Sequence, residues 1–176
     1  MLRYPSIFCG ILWYFMYNED EAYIGGREMI NDEEFEEKRK TIRQNNLKLL
    51  EDFDAWLNVK RLTNKTIREH MNNIDLFINH YLLYEDAYEA KDGILEVDDF
   101  LGYWFIRKAM WSSVNQIKSN AASLKKFYSF MLEKGEIEQD DLDDLREIIK
   151  EEMPNWITAM NNYENSMSTD MDDVWV

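Results

Sequence analysis

The sequence predicts an all-α protein, and three observations carry that reading. Apolar residues recur at alternating three- and four-residue steps over long stretches, the period of one helix face. Only six Gly and two Pro occur in 176 residues, too few for strand-and-turn architectures. Cap and stop residues bracket the periodic stretches. Apolar residues make up 45% and aromatics 14%, enough for one core with appendages.

Residues 1–28 are an atypical apolar N-terminal segment. Ile7 to Tyr17 is an apolar, aromatic run, too short to span a bilayer as a helix. A signal peptide fits poorly, with one charge (Arg3) before the run and no small-residue cleavage site. Gly25-Gly26-Arg27-Glu28 directly precedes Met29. Glycine and purine-rich Arg and Glu codons can spell a ribosome-binding site, so Met29 is a candidate true start. The single cysteine, Cys9, excludes an internal disulfide framework and favours a reducing, cytoplasmic setting.

A long helix is expected from Asn31 or Asp32, with Glu33, Glu34, Glu36 and Glu37 at the positive end of its dipole. Its apolar stripe of Phe35, Ile42, Leu49, Leu50, Phe53, Trp56 and Leu57 is densest after Asn46. Residues 31–46 are therefore expected to project as a mostly solvated extension of a domain spanning 47–137. Asn58 to Leu62 reads as a connector and Thr63 or Asn64 as the next N-cap. A helix to about Leu83 follows, with Ile67, Met71, Ile74, Ile78 and Tyr81 on one face. Tyr84 to Gly93 reads as a polar loop. Val97 or Asp98 opens a short helix through Ile106 that is apolar nearly all round, hence central to the core.

Ser112 or Ser113 caps the best-patterned helix, which stops at Gly135. Val114, Ile117, Ala121, Leu124, Tyr128 and Met131 line its inner face; Asn115, Lys118, Ser119, Ala122, Lys125, Lys126 and Ser129 form its outer face. Residues 138–164 read as an acidic C-terminal helical region, with Leu142, Leu145, Ile148 and Ile149 as its stripe. Pro154 stops that helix or starts another. Residues 165–176 read as a disordered tail.

The net charge is −15, from 35 acids against 20 bases, which argues against non-specific nucleic-acid binding by the whole molecule. The charges are nonetheless segregated. Ala55–Arg68 and Leu101–Leu132 together hold nine bases and no acid. One explanation is local variation among surface helices. The other is a face for a polyanion, with Lys60, Arg61, Lys65, Arg68, Lys118, Lys125 and Lys126 as candidate DNA-binding residues beside capped helix starts that suit phosphate.

Thr63 to Asn79, then Val97-Asp-Asp-Phe-Leu, then Ser119 to Ile137 resemble the N-terminal core-binding domain of tyrosine recombinases and phage integrases. The best match is Leu124-x-x-Phe127-Tyr128-x-Phe130-Met131 with Gly135-x-Ile137. The resemblance covers roughly Leu47 to Ile137. It implies a small SAM-like orthogonal bundle of four or five helices that clamps double-stranded DNA during integration or recombination, with Lys65, Arg68, Lys118, Lys125 and Lys126 at the duplex. The family's Asn-Pro linker is replaced here by Glu138-Gln-Asp-Asp. Its catalytic set is missing too, since neither His70 nor His80 has Arg three positions on and no tyrosine has an arginine-rich pocket to activate it. The expectation is a stand-alone, non-catalytic DNA-binding domain, with no enzymatic activity, cofactor, metal site or membrane partner. His70 and His80 lack companions at ligand spacing, and Asp140, Asp141, Asp143 and Asp144 suffice as helix-start residues. The rival expectation is an acidic protein–protein interaction module or homo-oligomer, supported by the net charge, the Met and Trp content and the aromatic N-terminal run. In a third arrangement the acidic C-terminal region folds back over the basic face.

Overall fold

A computed structural model describes residues 32–172, with side chains described over 33–166. The chain divides into two units, Met1–Glu34 and Phe35–Val176. The readings of residues 1–28, of an Asn31 cap and of 173–176 lie outside the described residues.

Over the described residues the protein is an all-α bundle of five helices with no strand. α1 runs Asp32–Val59. α2 comprises Asn64–Asp75 and a wider π turn, Leu76–Tyr81. α3 joins Val97–Asp99, a π segment Phe100–Trp104 and Phe105–Lys108. α4 is Val114–Lys134 and α5 is Gln139–Asp172.

The caps follow the sequence. Thr63 Oγ1 accepts from Thr66 N–H to open α2, and Ser113 Oγ accepts from Gln116 N–H to open α4. Gly135 closes α4 in the left-handed region, at φ 77°. Its N–H reaches Leu132 O and the next N–H, of Glu136, reaches Met131 O, a Schellman ending that a side chain at 135 would strain.

α1 crosses residues 46 and 47 without a break, and its first half is less solvated than its composition suggests. Ile42 is 4% exposed, packed with Leu83 and Ala87 and flanked by half-buried Phe35. Asn46 is 2% exposed because its amide donates to Ile78 O at 3.0 Å and to Asn79 Oδ1 at 2.9 Å. A buried asparagine satisfied by another helix gives no apolar signal in sequence, which hides this part of the core.

The centre of the bundle is α3, as its all-round apolarity predicts: Val97, Phe100, Leu101, Trp104, Phe105 and Ile106 are buried. The π turns of α2 and α3 meet there. Phe100 lies 5.0 Å from both Phe77 and Tyr81, and Tyr81 lies 5.5 Å from Trp104, between ring centroids. Each wide turn adds a residue to its helix where these rings mesh. The stretch 84–93 is more than a polar loop. Ala87 and Ala90 are buried, Ala90–Asp92 forms a 3₁₀ turn, and Tyr128 Oη donates to Ala90 O at 2.8 Å.

α5 overturns two expectations. It passes through Pro154 without ending, and it continues past 165 to Asp172. Pro154 and Lys150 are both exposed, so the carbonyl deprived of its i→i−4 partner faces solvent. Two residues on, Trp156 is 1% exposed and its Nε1–H donates to Asp98 Oδ1 at 2.7 Å. This anchor to α3 holds the helix in register beyond the proline. Gly102 permits the approach: a Cβ there would stand 2.8 Å from Trp156 Cδ1.

Candidate nucleic-acid interface

The first acid-free window becomes the end of α1, the turn after it and the first turn of α2; the second becomes most of α3, the turn after it and α4 as far as Leu132. α2 and α4 pack against each other along a polar seam. Asn73 Nδ2 donates to Ser119 Oγ at 3.0 Å and to Ser123 Oγ at 2.9 Å, which uses both of its hydrogens. Ser119 Oγ donates to Glu69 Oε1. Ser123 Oγ donates to Ser119 O at 2.9 Å and lies 2.8 Å from His70 Nδ1. With the Ser123 hydrogen committed to Ser119 O, the network assigns the remaining donor role to His70 Nδ1–H. Burial holds the imidazole below its ordinary pKa, and the Lys126 ammonium pushes the same way against the carboxylate of Glu69.

The candidate residues divide into four groups. Lys65 and Arg68 on α2, and Lys118 and Lys125 on α4, are exposed and form no ion pair among the described residues. Lys118, Ala122, Lys125 and Ser129 follow one another at steps of four and three, a continuous outer stripe of α4. Lys126 sits half-buried at the seam, also without an acid partner. Arg61 is exposed in the turn after α1, at φ 57°, the one non-glycine residue in the left-handed region among those described.

Lys60 belongs elsewhere. Its ammonium pairs with Glu133 at 3.0 Å and lies 4.4 Å from the Trp56 ring centroid. Glu133 also accepts from Trp56 Nε1–H at 2.6 Å, and that bond, followed by Lys60, holds its carboxyl below the usual range. Lys60, just past the end of α1, reaches across to Glu133 on α4, so its ammonium already has a carboxylate partner. Ser119, counted among the outer residues of α4, is likewise consumed by the seam. Glu69 brings a carboxylate to the edge of a face that is acid-free in its own helix.

Among the described residues, no ion pair joins Lys65, Arg68, Lys118 or Lys125 to an acid of α5. Asp140, Asp143, Asp144 and Glu147 are exposed, and Asp143 pairs within its own helix with Arg146 at 2.8 Å.

Sequence reasoning missed the seam itself. Its signal was Ser119 and Ser123, four apart, opposite Glu69 and Asn73, also four apart: two short polar stripes at helical spacing within faces otherwise read as core or solvent. Among the described residues, no helix is long and apolar enough to cross a membrane. Comparison with known protein families, with curated proteins and with solved structures finds no match to this chain.

Proposed function

We propose that the outer surface of α2 and α4 binds double-stranded DNA by phosphate neutralisation, as a binding domain with no reaction of its own. One observation carries this reading. Arg61, Lys65, Arg68, Lys118, Lys125 and Lys126 have no ion pair among the described residues of a chain with 35 acids. Arg39, Lys40, Lys60, Lys91, Lys134 and Arg146 each pair with a carboxylate, and the other cations without an ion pair among the described residues, such as Lys38, Arg43, Lys48 and Lys150, lie on the acid-rich helices α1 and α5. Cations left uncompensated on adjoining helices, in a protein this acidic, suit an external anion. The resemblance to recombinase core-binding modules makes a recombination site the natural DNA to try first.

The test is a fluorescence-anisotropy titration of a short duplex at several salt concentrations. If Lys65, Arg68, Lys118 and Lys125 each meet a phosphate, the log–log salt slope is about −3 to −4. Lys118→Glu with Lys125→Glu weakens binding at every sequence. No duplex binding at low salt removes the reading.

A second reading, a protein-interaction module, is favoured by large apolar side chains left in solvent, Met110 at 83% and Val59 at 78% exposed. Light scattering separates the two. A stable dimer that loses its basic surface on assembly supports the interaction module, and a DNA-binding monomer supports the first reading.

A further inference from the structure

A cavity of about 330 Å³ lies between α3 and the second half of α5. Its floor is apolar, from Gly102, Ile106 and Ala159, and its rim carries Arg107, Asn162 and Tyr163. Among the described residues no carboxylate lines it, although acids outnumber bases nearly two to one in the chain. The Arg107 guanidinium stacks over the Tyr103 ring at 4.1 Å from its centroid, so a flat cation is held at the rim on an exposed aromatic. Arg107 leads directly into the turn that starts α4. Lys118 stands about 6 Å along that helix from its first residue. The turn 109–113 joins Arg107 at the rim to the helix that carries the basic stripe.

The lining suits one kind of occupant. An apolar floor with a phenol ring and a guanidinium plane accepts a flat aromatic group. The Asn162 amide offers one acceptor and two donors, the complement of a base edge. The Arg107 guanidinium at the rim suits a phosphate beside that base. The volume falls at the lower end for small-molecule sites, room for a nucleotide unit but not for a helix.

We propose that this cavity receives a single unstacked base of DNA held by the α2–α4 surface, so that the preferred partner is DNA with an extrahelical or single-stranded base; this rests on the DNA reading above. The backbone is held by the lysines of α4, and the base leaves the stack to lie against Tyr163 and Arg107 with its edge at Asn162.

Anisotropy titrations of the full chain against a duplex, the same duplex with a one-base bulge, and the single strand test this directly. The bulged and single-stranded probes are expected to bind about tenfold more tightly than the duplex, the low end for stacking one base. Asn162→Ala with Tyr163→Ala abolishes that preference and leaves duplex affinity unchanged, whereas Lys118→Glu with Lys125→Glu weakens all three. If the double alanine variant melts early, Asn162→Asp keeps the volume, replaces the amide's two donors at the base edge with an acceptor, and is expected to reduce the preference alone. Equal affinity for duplex and bulge, or a preference that survives these substitutions, overturns the cavity assignment and leaves the duplex reading standing. Binding to no probe at low salt overturns both. Saturable binding of a free nucleoside monophosphate without any bulge preference reassigns the cavity to a free nucleotide and overturns the DNA-base assignment.

Discussion

At the centre of α3, Phe77, Tyr81, Phe100 and Trp104 pack ring against ring. Between α2 and α4, by contrast, Glu69, His70, Asn73, Ser119 and Ser123 meet through hydrogen bonds. The aromatic centre is held by buried area and dispersion, which are large and only weakly directional. The polar seam buries little apolar surface but fixes the register of two helices, because each donor there has one acceptor it can reach. The first makes the protein fold. The second sets how the two basic helices present their outer surfaces. An interface that depends on the relative position of cations on α2 and α4 therefore depends on five small polar side chains.

The contrast can be broken first at the aromatic end. Phe100→Ala removes a fully buried ring and is expected to cost about 3–5 kcal/mol, read as a drop in the urea midpoint. At the seam, Ser123→Ala is expected to cost about 1–3 kcal/mol, because one Asn73 hydrogen and His70 Nδ1–H lose their acceptor. On the proposed DNA reading, its sharper signature is a larger fractional loss of DNA affinity than Phe100→Ala shows at a temperature where both are folded. Equal losses would mean that the seam does not position the basic residues. Gly102→Ala is expected to cost about 1–3 kcal/mol, since the new methyl meets the Trp156 indole that Asp98 fixes. Thermal melts check it, and rescue by Trp156→Phe would identify the clash as the cause.

Acid sensitivity follows from the seam as well. His70 is held below its ordinary value by burial and by Lys126, and His80 by burial and by Arg43, with Asp75 opposing. Above the ordinary histidine value of 6.5 both are neutral whether the chain is folded or not. Below it the unfolded chain takes up protons that the folded protein resists, so stability falls as pH drops from 6.5 toward the depressed folded values. Urea midpoints measured at a series of pH values are expected to show this slope. His70→Gln is expected to reduce it; an unchanged slope would exclude His70 as a source. The smallest effect belongs to the surface. Arg146→Ala deletes an exposed i,i+3 pair with Asp143 and is expected to shift stability by only about 0.2–0.5 kcal/mol.

Local chemistry alone determined much of this protein. Helix starts at Thr63 and Ser113, the stop at Gly135, the inner face of α4 and the central place of α3 were all legible, because caps and apolar periodicity act over a few residues. So was the segregation of nine bases from every acid. The tertiary structure decided the rest. Pro154 and the residues after 164 look like an ending, and a helix continues there because Trp156 reaches Asp98, 58 positions away along the chain. Asn46 looks solvated and is buried because the acceptors Ile78 O and Asn79 Oδ1 arrive from another helix. Lys60 looks available for a polyanion and is taken by Glu133, while Lys118 and Lys125 are left open. Each of these outcomes depends on which polar group meets which across the bundle. A hydrogen bond or ion pair between distant positions leaves no period in the sequence, whereas an apolar face does.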